Sequence, residues 1–106
     1  MNEITIEQYQ DAVVKMCNLA QDDTGGSRVA AQVILSAYNG DFWQLSITDL
    51  CLLDLDNFKL AMDVIKGRRT LEIEPHNLVD NGKEIFVDLC SQWERYNVRV
   101  RGERLQ

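Results

Sequence analysis

Residues 25–40 read GGSRVAAQVILSAYNG, the least polar run of the chain, and this run decides the fold. Ser27 is a good N-cap, because its hydroxyl can accept a hydrogen bond from a first-turn amide that lacks a helical partner. Gly40 stands where helices commonly end on a left-handed residue. A helix that is apolar around most of its circumference is buried around most of it. The run therefore predicts a central helix over about residues 28–39.

A single polar stripe interrupts this helix at steps of three to four residues: Arg28, Gln32, Ser36 and Asn39. Such a stripe either faces solvent or is buried against another element. We expect the stripe to face solvent, as on most helices of soluble domains. Burial would be the more informative outcome.

Apolar residues at helical spacing predict three further principal helices, over about residues 6–21, 55–67 and 80–97. Thr5 and Gln8 fit a capping box at the start of the first. Together with the central helix, these segments predict an all-α, compact bundle of four principal helices.

Short signals between the helices predict one or two helical turns. Residues 48–53 suggest one turn, and Pro75, which is well placed at a first helical position, suggests another. Asp54 or Asp56 fits the N-cap of the third principal helix, and Gly67 fits its C′ position.

With 106 residues, of which 45% are hydrophobic and 26% charged, one helical domain over residues 1–106 is expected. A basic C-terminal tail from about residue 98 is predicted to fray. A minor two-stranded ribbon pairing residues 41–48 with residues 71–74 is the alternative for those two segments.

No apolar run approaches the roughly 20 residues that a membrane-spanning helix needs. The N-terminus is acidic and polar, unlike a signal peptide, so a cytoplasmic protein without membrane contact is expected. Cys17, Cys51 and Cys90 are too far apart for a zinc or disulfide motif, and we expect each to pack in the core.

The net charge of −6 is unevenly distributed. Residues 1–56 hold nine acids and two bases, whereas residues 57–106 hold eight acids and nine bases. One interpretation is a solvated surface that keeps the protein soluble, and the other is an acidic face that meets a basic partner.

Two basic clusters lie near predicted helix ends, where positive charge stabilises the helix dipole. They are Lys66, Arg68 and Arg69, and Arg95, Arg99, Arg101 and Arg104. The overall acidity argues against direct nucleic-acid binding, because phosphate contacts rely on a positive surface.

Catalytic signals are sparse. The one histidine, His76, follows Glu72 and Glu74, and an imidazole beside a carboxylate can act as a general base. No recognisable nucleophile or metal motif accompanies it, so we predict no catalytic residue, cofactor or metal ligand. A small enzyme or ligand-binding domain centred on His76 is the alternative function.

Aromatic residues near the end of the central helix suggest an interaction site instead. Tyr38, Phe42 and Trp43 could anchor a partner, although for Trp43 a place in the core is the favoured interpretation. Asp22, Asp23 and Asp41 could steer that partner electrostatically.

Five segments, spread over residues 25–97, also resemble a family of small uncharacterised bacterial proteins carried on plasmids, prophages and integrative elements. They are Gly26–Gln32, Leu35–Gly40, Thr48–Asp54, Glu74–His76 and Asn81–Gly82. The resemblance implies no activity or site residues, only a context of accessory proteins of mobile DNA. It leads us to expect a non-enzymatic interaction protein that modulates or inhibits a nucleic-acid-handling protein, with an unidentified protein partner. A homodimer is a further alternative.

Overall fold

A computed structural model describes residues 3–100 and confirms the predicted all-α bundle. Its α-helices are α1 (Ile6–Ala20), α2 (Gly25–Tyr38), α3 (Ile47–Leu50), α4 (Leu55–Leu71) and α5 (Gly82–Gln92). Two short 3₁₀ turns follow α4 and α5, at Pro75–Leu78 and Glu94–Tyr96.

Helices α1 and α2 form the centre of the bundle and pack along each other. The predicted capping box is present at the start of α1, where Thr5 and Gln8 hydrogen-bond each other's amides. Eight of the fourteen residues of α2 are buried, which agrees with its apolar sequence. Helix α4 packs on α1 and α2, and α5 packs on α2.

The ends of α2 differ from the prediction. Thr24, rather than Ser27, is the N-cap, and its side chain accepts a hydrogen bond from the Ser27 amide at 3.0 Å. Ser27 is buried in the first turn, with its hydroxyl 2.8 Å from that of Thr24. Gly40 is not left-handed. The helix ends at Tyr38, and its C-cap residue, Asn39, is extended with φ of −152°.

Helix α4 extends past the predicted end at Gly67 and stops at Leu71, where Glu72 is left-handed with φ of 56°. Gly67 lies inside α4, at the point where α4 packs against Tyr9 of α1. A β-carbon at Gly67 would collide with the ring of Tyr9. The glycine therefore serves close packing and not helix termination.

Helix α5 is shorter than the predicted span of residues 80–97. Asn81, with φ of 56°, precedes it, and the backbone leaves helical geometry at Trp93. The indole nitrogen of Trp93 donates a buried hydrogen bond to the Ala20 carbonyl at 2.8 Å. This bond fixes the end of α5 at the corner between α1 and α2.

The alternative two-stranded ribbon does not form, since no residue between 3 and 100 lies in a β-strand. Turn and loop backbone follows α2, and the other proposed strand begins at Leu71, the last residue of α4. In the same described part of the chain, no helix has the length and apolar character needed to cross a bilayer.

Candidate functional site

The connection between α2 and α4, residues 39–54, exposes several large aromatic and apolar side chains. It begins with a tight turn, because the amides of Asp41 and Trp43 donate to the side chain and backbone oxygens of Asn39, each at 3.1 Å. The turn directs Trp43 into the core and leaves Phe42 38% exposed.

Tyr38, Phe42 and Trp43 line one groove of about 400 Å³. Ser91 and Glu94, from the end of α5 and the turn after it, line the same groove. The fold thus brings the three predicted aromatic residues together. Because Trp43 is buried, Phe42 is the aromatic residue of the three most available to a partner.

The start of the predicted C-terminal tail packs beside Phe42. The Val98 amide donates to the Phe42 carbonyl at 2.9 Å, and the Arg99 guanidinium lies 5.0 Å from the centre of the Phe42 ring. A cation over an aromatic face is an attractive arrangement. The rest of the predicted tail, residues 101–106, lies outside the described residues.

The three predicted acidic residues are all exposed. Asp22 and Asp23 lie in the connection between α1 and α2, where Gln92 donates to the Asp22 carbonyl at 3.1 Å. Asp41 lies beside Phe42 in sequence, and none of the three acids lines the groove. Their role in steering a partner stays a prediction.

The polar stripe of α2 is buried at Gln32 and half-buried at Arg28, Ser36 and Asn39, so it faces solvent less than we expected. Gln32 is buried; its amide nitrogen donates to the Asp49 carboxylate at 2.9 Å, and its amide oxygen accepts from the Ser46 backbone at 3.0 Å. Arg28 reaches Asp49 at 3.8 Å. Gln32 and Arg28 thus hold the connection onto α2.

Three large apolar side chains are exposed in α3, in the turn after it and at the start of α4. Ile47 is 75% exposed, Leu52 70% and Leu55 66%. We call these three residues the apolar patch. Leu50 is buried and Leu53 half-buried, so the same segment also contributes to the core.

Sequence reasoning missed the apolar patch. Residues 47–55 read ITDLCLLDL, and this density of apolar residues predicts burial. The shortness of the segment was the sequence feature that indicated exposure of some of these side chains. One helical turn and a bend cannot direct every apolar side chain inward, so some must face solvent.

The residues of the alternative site around His76 lie in different environments. The His76 ring lies edge-on to Tyr38, with centres 5.3 Å apart, and its buried Nδ1 has no hydrogen-bond partner among the described residues. Glu74 is paired with Arg68 at 3.0 Å, and Glu72 is an exposed residue at the end of α4. His76 therefore packs mainly with aromatic neighbours.

The cysteines differ in environment. Cys17 is buried, and burial raises the pKa of its thiol to about 12. Burial also raises the pKa of the half-buried Cys90. The prediction of a core position was wrong for Cys51, which is exposed because it lies beside the apolar patch on the surface turn after α3.

Two members of the basic clusters, Arg68 and Arg95, make internal contacts. Arg68 donates to the Ala37 carbonyl at 3.0 Å and so satisfies a carbonyl in the last turn of α2. The Arg95 guanidinium lies 4.8 Å from the Trp93 ring centre and 4.9 Å from that of Tyr96. These contacts favour a structural role for both residues.

The chain matches, over residues 10–94, a family described as a family of unknown function (DUF7673). It has no match among curated proteins or among solved structures. Because the match covers most of the chain, the protein belongs to this family of unknown function.

Proposed function

We propose that the protein is a non-enzymatic interaction protein that binds a protein partner through the connection between α2 and α4. The observation that carries this proposal is the apolar patch, Ile47, Leu52 and Leu55, with each side chain at least 66% exposed. Covering a leucine or isoleucine side chain is worth about 1.5–3 kcal/mol. Three such residues within nine positions supply the centre of a binding surface.

The backbone under the patch is fixed before any partner binds. Ser46 caps α3 by accepting from the Asp49 amide at 3.4 Å, and Asp54 caps α4 by accepting from the Asn57 amide at 2.8 Å. Gln32 holds the connection to α2 from below. A surface ordered in advance loses little conformational entropy on binding.

The biological context comes from the sequence resemblance to proteins of plasmids, prophages and integrative elements. We propose that the protein is an accessory factor of bacterial mobile DNA that modulates or inhibits a nucleic-acid-handling protein. Such partners carry basic surfaces for phosphate, and an acidic protein can compete for them. The net charge of −6 supports this proposal.

Affinity capture from a bacterial host lysate tests the interaction. Wild type is compared with Leu52→Ser/Leu55→Ser, which removes two patch residues, and with Val87→Ser, which alters a 57% exposed residue of α5. We expect wild type and Val87→Ser to capture the same partner and the double variant to lose it. Equal capture by all three proteins would overturn the proposal, provided that circular dichroism shows that each is folded.

A further inference from the structure

We infer that the apolar patch binds a cationic amphipathic helix on the partner protein. This inference rests on the proposed function and specifies the chemistry of the partner segment. It follows from the combination of two features in one segment, exposed apolar side chains and a net negative charge.

The charge pattern around the patch is one-sided. Residues 41–57 contain four aspartates, at positions 41, 49, 54 and 56, and no lysine, arginine or histidine. Asp54 and Asp56 are exposed at the start of α4, next to Leu55 in sequence. Helix N-termini favour acids, so these carboxylates are compatible with the fold as they stand.

The nearest basic side chain in sequence before this segment is already engaged. Arg28 lies 3.8 Å from the Asp49 carboxylate. Lys59 follows Asp56 by three positions on α4, but neither Asp54 nor Asp56 forms an ion pair among the described residues, and the aspartates of the segment outnumber this lysine. A partner that brings apolar and basic groups together would cover the leucines and approach these carboxylates with lysine or arginine.

The backbone that carries Ile47 and Leu52 is tightly turned. Successive turns close through hydrogen bonds from the Cys51 amide to the Ile47 carbonyl and from the Leu52 amide to the Asp49 carbonyl, at 3.2 and 2.9 Å. Three exposed apolar side chains within nine positions suit one face of a helix, which presents apolar residues at steps of three and four and basic residues beside them.

Charge disfavours the other occupants. A second copy of this chain would bring Asp54 and Asp56 close to acids of the same sign. An anionic membrane or nucleic acid would be repelled by the same carboxylates. These occupants are separate outcomes of the test.

Fluorescence anisotropy with labelled peptides of about 18 residues, long enough for several helical turns, tests the inference. The peptides are a leucine–lysine amphipathic helix, a scrambled peptide of the same composition, and a leucine–glutamate helix. We expect wild type and Val87→Ser to bind the leucine–lysine helix at least about tenfold more tightly than the other two peptides. Leucine-to-serine changes at positions 52 and 55 should weaken that binding by at least about tenfold.

Equal binding of the scrambled and amphipathic peptides, or equal binding by the double variant, would overturn the inference. So would stronger binding to phosphatidylglycerol vesicles or to duplex DNA, or a dimer that disperses in the double variant during light scattering. The proposed function fails separately, when the double variant captures the same lysate partner as wild type. If capture needs the patch but the peptide does not bind, only the inference on partner chemistry fails.

Discussion

The side chain of Gln32 in α2 donates a hydrogen bond to the Asp49 carboxylate in α3 at 2.9 Å. The other end of the same amide accepts from the Ser46 backbone, so a single buried side chain holds α3 in place. The position of the apolar patch therefore depends on a residue that faces away from the surface.

Replacing Gln32 with methionine keeps a side chain of similar length but removes both hydrogen bonds. We expect the variant to lose about 1–3 kcal/mol of unfolding free energy, because the Ser46 amide and the Asp49 carboxylate each lose a part-buried hydrogen bond. Urea denaturation measures this loss, and hydrogen exchange at the Ser46 amide should become faster. Gln44→Met, at an exposed position, is the matched control. Equal stability of the two variants would refute this role for Gln32.

Gly67→Ala tests the close contact between α4 and α1. Although alanine favours a helix over glycine by about 1 kcal/mol, the added methyl group would overlap the Tyr9 ring. We expect a net loss of about 1–3 kcal/mol on urea denaturation. In Gly25→Ala, the new β-carbon would meet no atom within 4 Å, so that control should match wild type or exceed it. A Gly67→Ala protein as stable as Gly25→Ala would contradict the assigned packing.

Hydrophobic periodicity predicted the four principal helices, since their apolar faces are long enough to read without tertiary information. It could not place their ends reliably. Glycine is common directly after a helix end, so the sequence pointed to Gly67 as the end of the helix. Its actual position inside α4 is explained by close packing against Tyr9, which is 58 positions away in the chain. Thr24 and Ser27 are both good N-caps, and only the path of the preceding loop selects between them.

The candidate site was less predictable. The sequence indicated Tyr38, Phe42 and Trp43 as a group, and the fold does bring them to one groove. Exposure could not be predicted in the same way, because Leu50 and Leu52 are identical residues with opposite environments. The outcome depends on the direction of one short helix, which Gln32 and Ser46 set through contacts distant in sequence.

Tryptophan fluorescence offers a direct check on the environments of Trp43 and Trp93. Both indoles are buried, so acrylamide should quench the folded protein weakly. Unfolding in urea should restore efficient quenching of both. The contrary outcome is strong quenching of part of the emission in the folded wild type. If Trp43→Phe abolishes that strongly quenched component, Trp43 is exposed and could serve as an anchor.

Thiol labelling should distinguish the three cysteines. Cys51 is exposed and should react first with a disulfide reagent at pH 8. Cys90 should follow more slowly, since burial raises the pKa of its thiol and lowers the thiolate fraction. Cys17, with a pKa raised to about 12, should react only on unfolding. Mass spectrometry of timed samples gives the order, and urea provides the control in which all three react. Early labelling of Cys17 would contradict its burial.

Alkaline stability tests the environment of Tyr9, whose hydroxyl donates to the Ile73 carbonyl at 2.7 Å. Burial raises the pKa of Tyr9 to about 12, whereas an unfolded tyrosine has a pKa of about 10. Between these values the unfolded state binds fewer protons than the folded state, so the free energy of unfolding falls as pH rises.

Tyr9→Phe removes this titration along with the hydrogen bond. We expect the variant to be about 1 kcal/mol less stable at pH 7. Above about pH 10, its stability should fall less steeply than that of wild type, by up to about 1.4 kcal/mol per pH unit. Cys17 is present in both proteins and contributes the same alkaline loss to each. Urea midpoints measured from pH 7 to 11 provide the comparison, and the two slopes should coincide below about pH 9. Parallel curves over the whole range would show that the Tyr9 hydroxyl titrates alike in the folded and unfolded states.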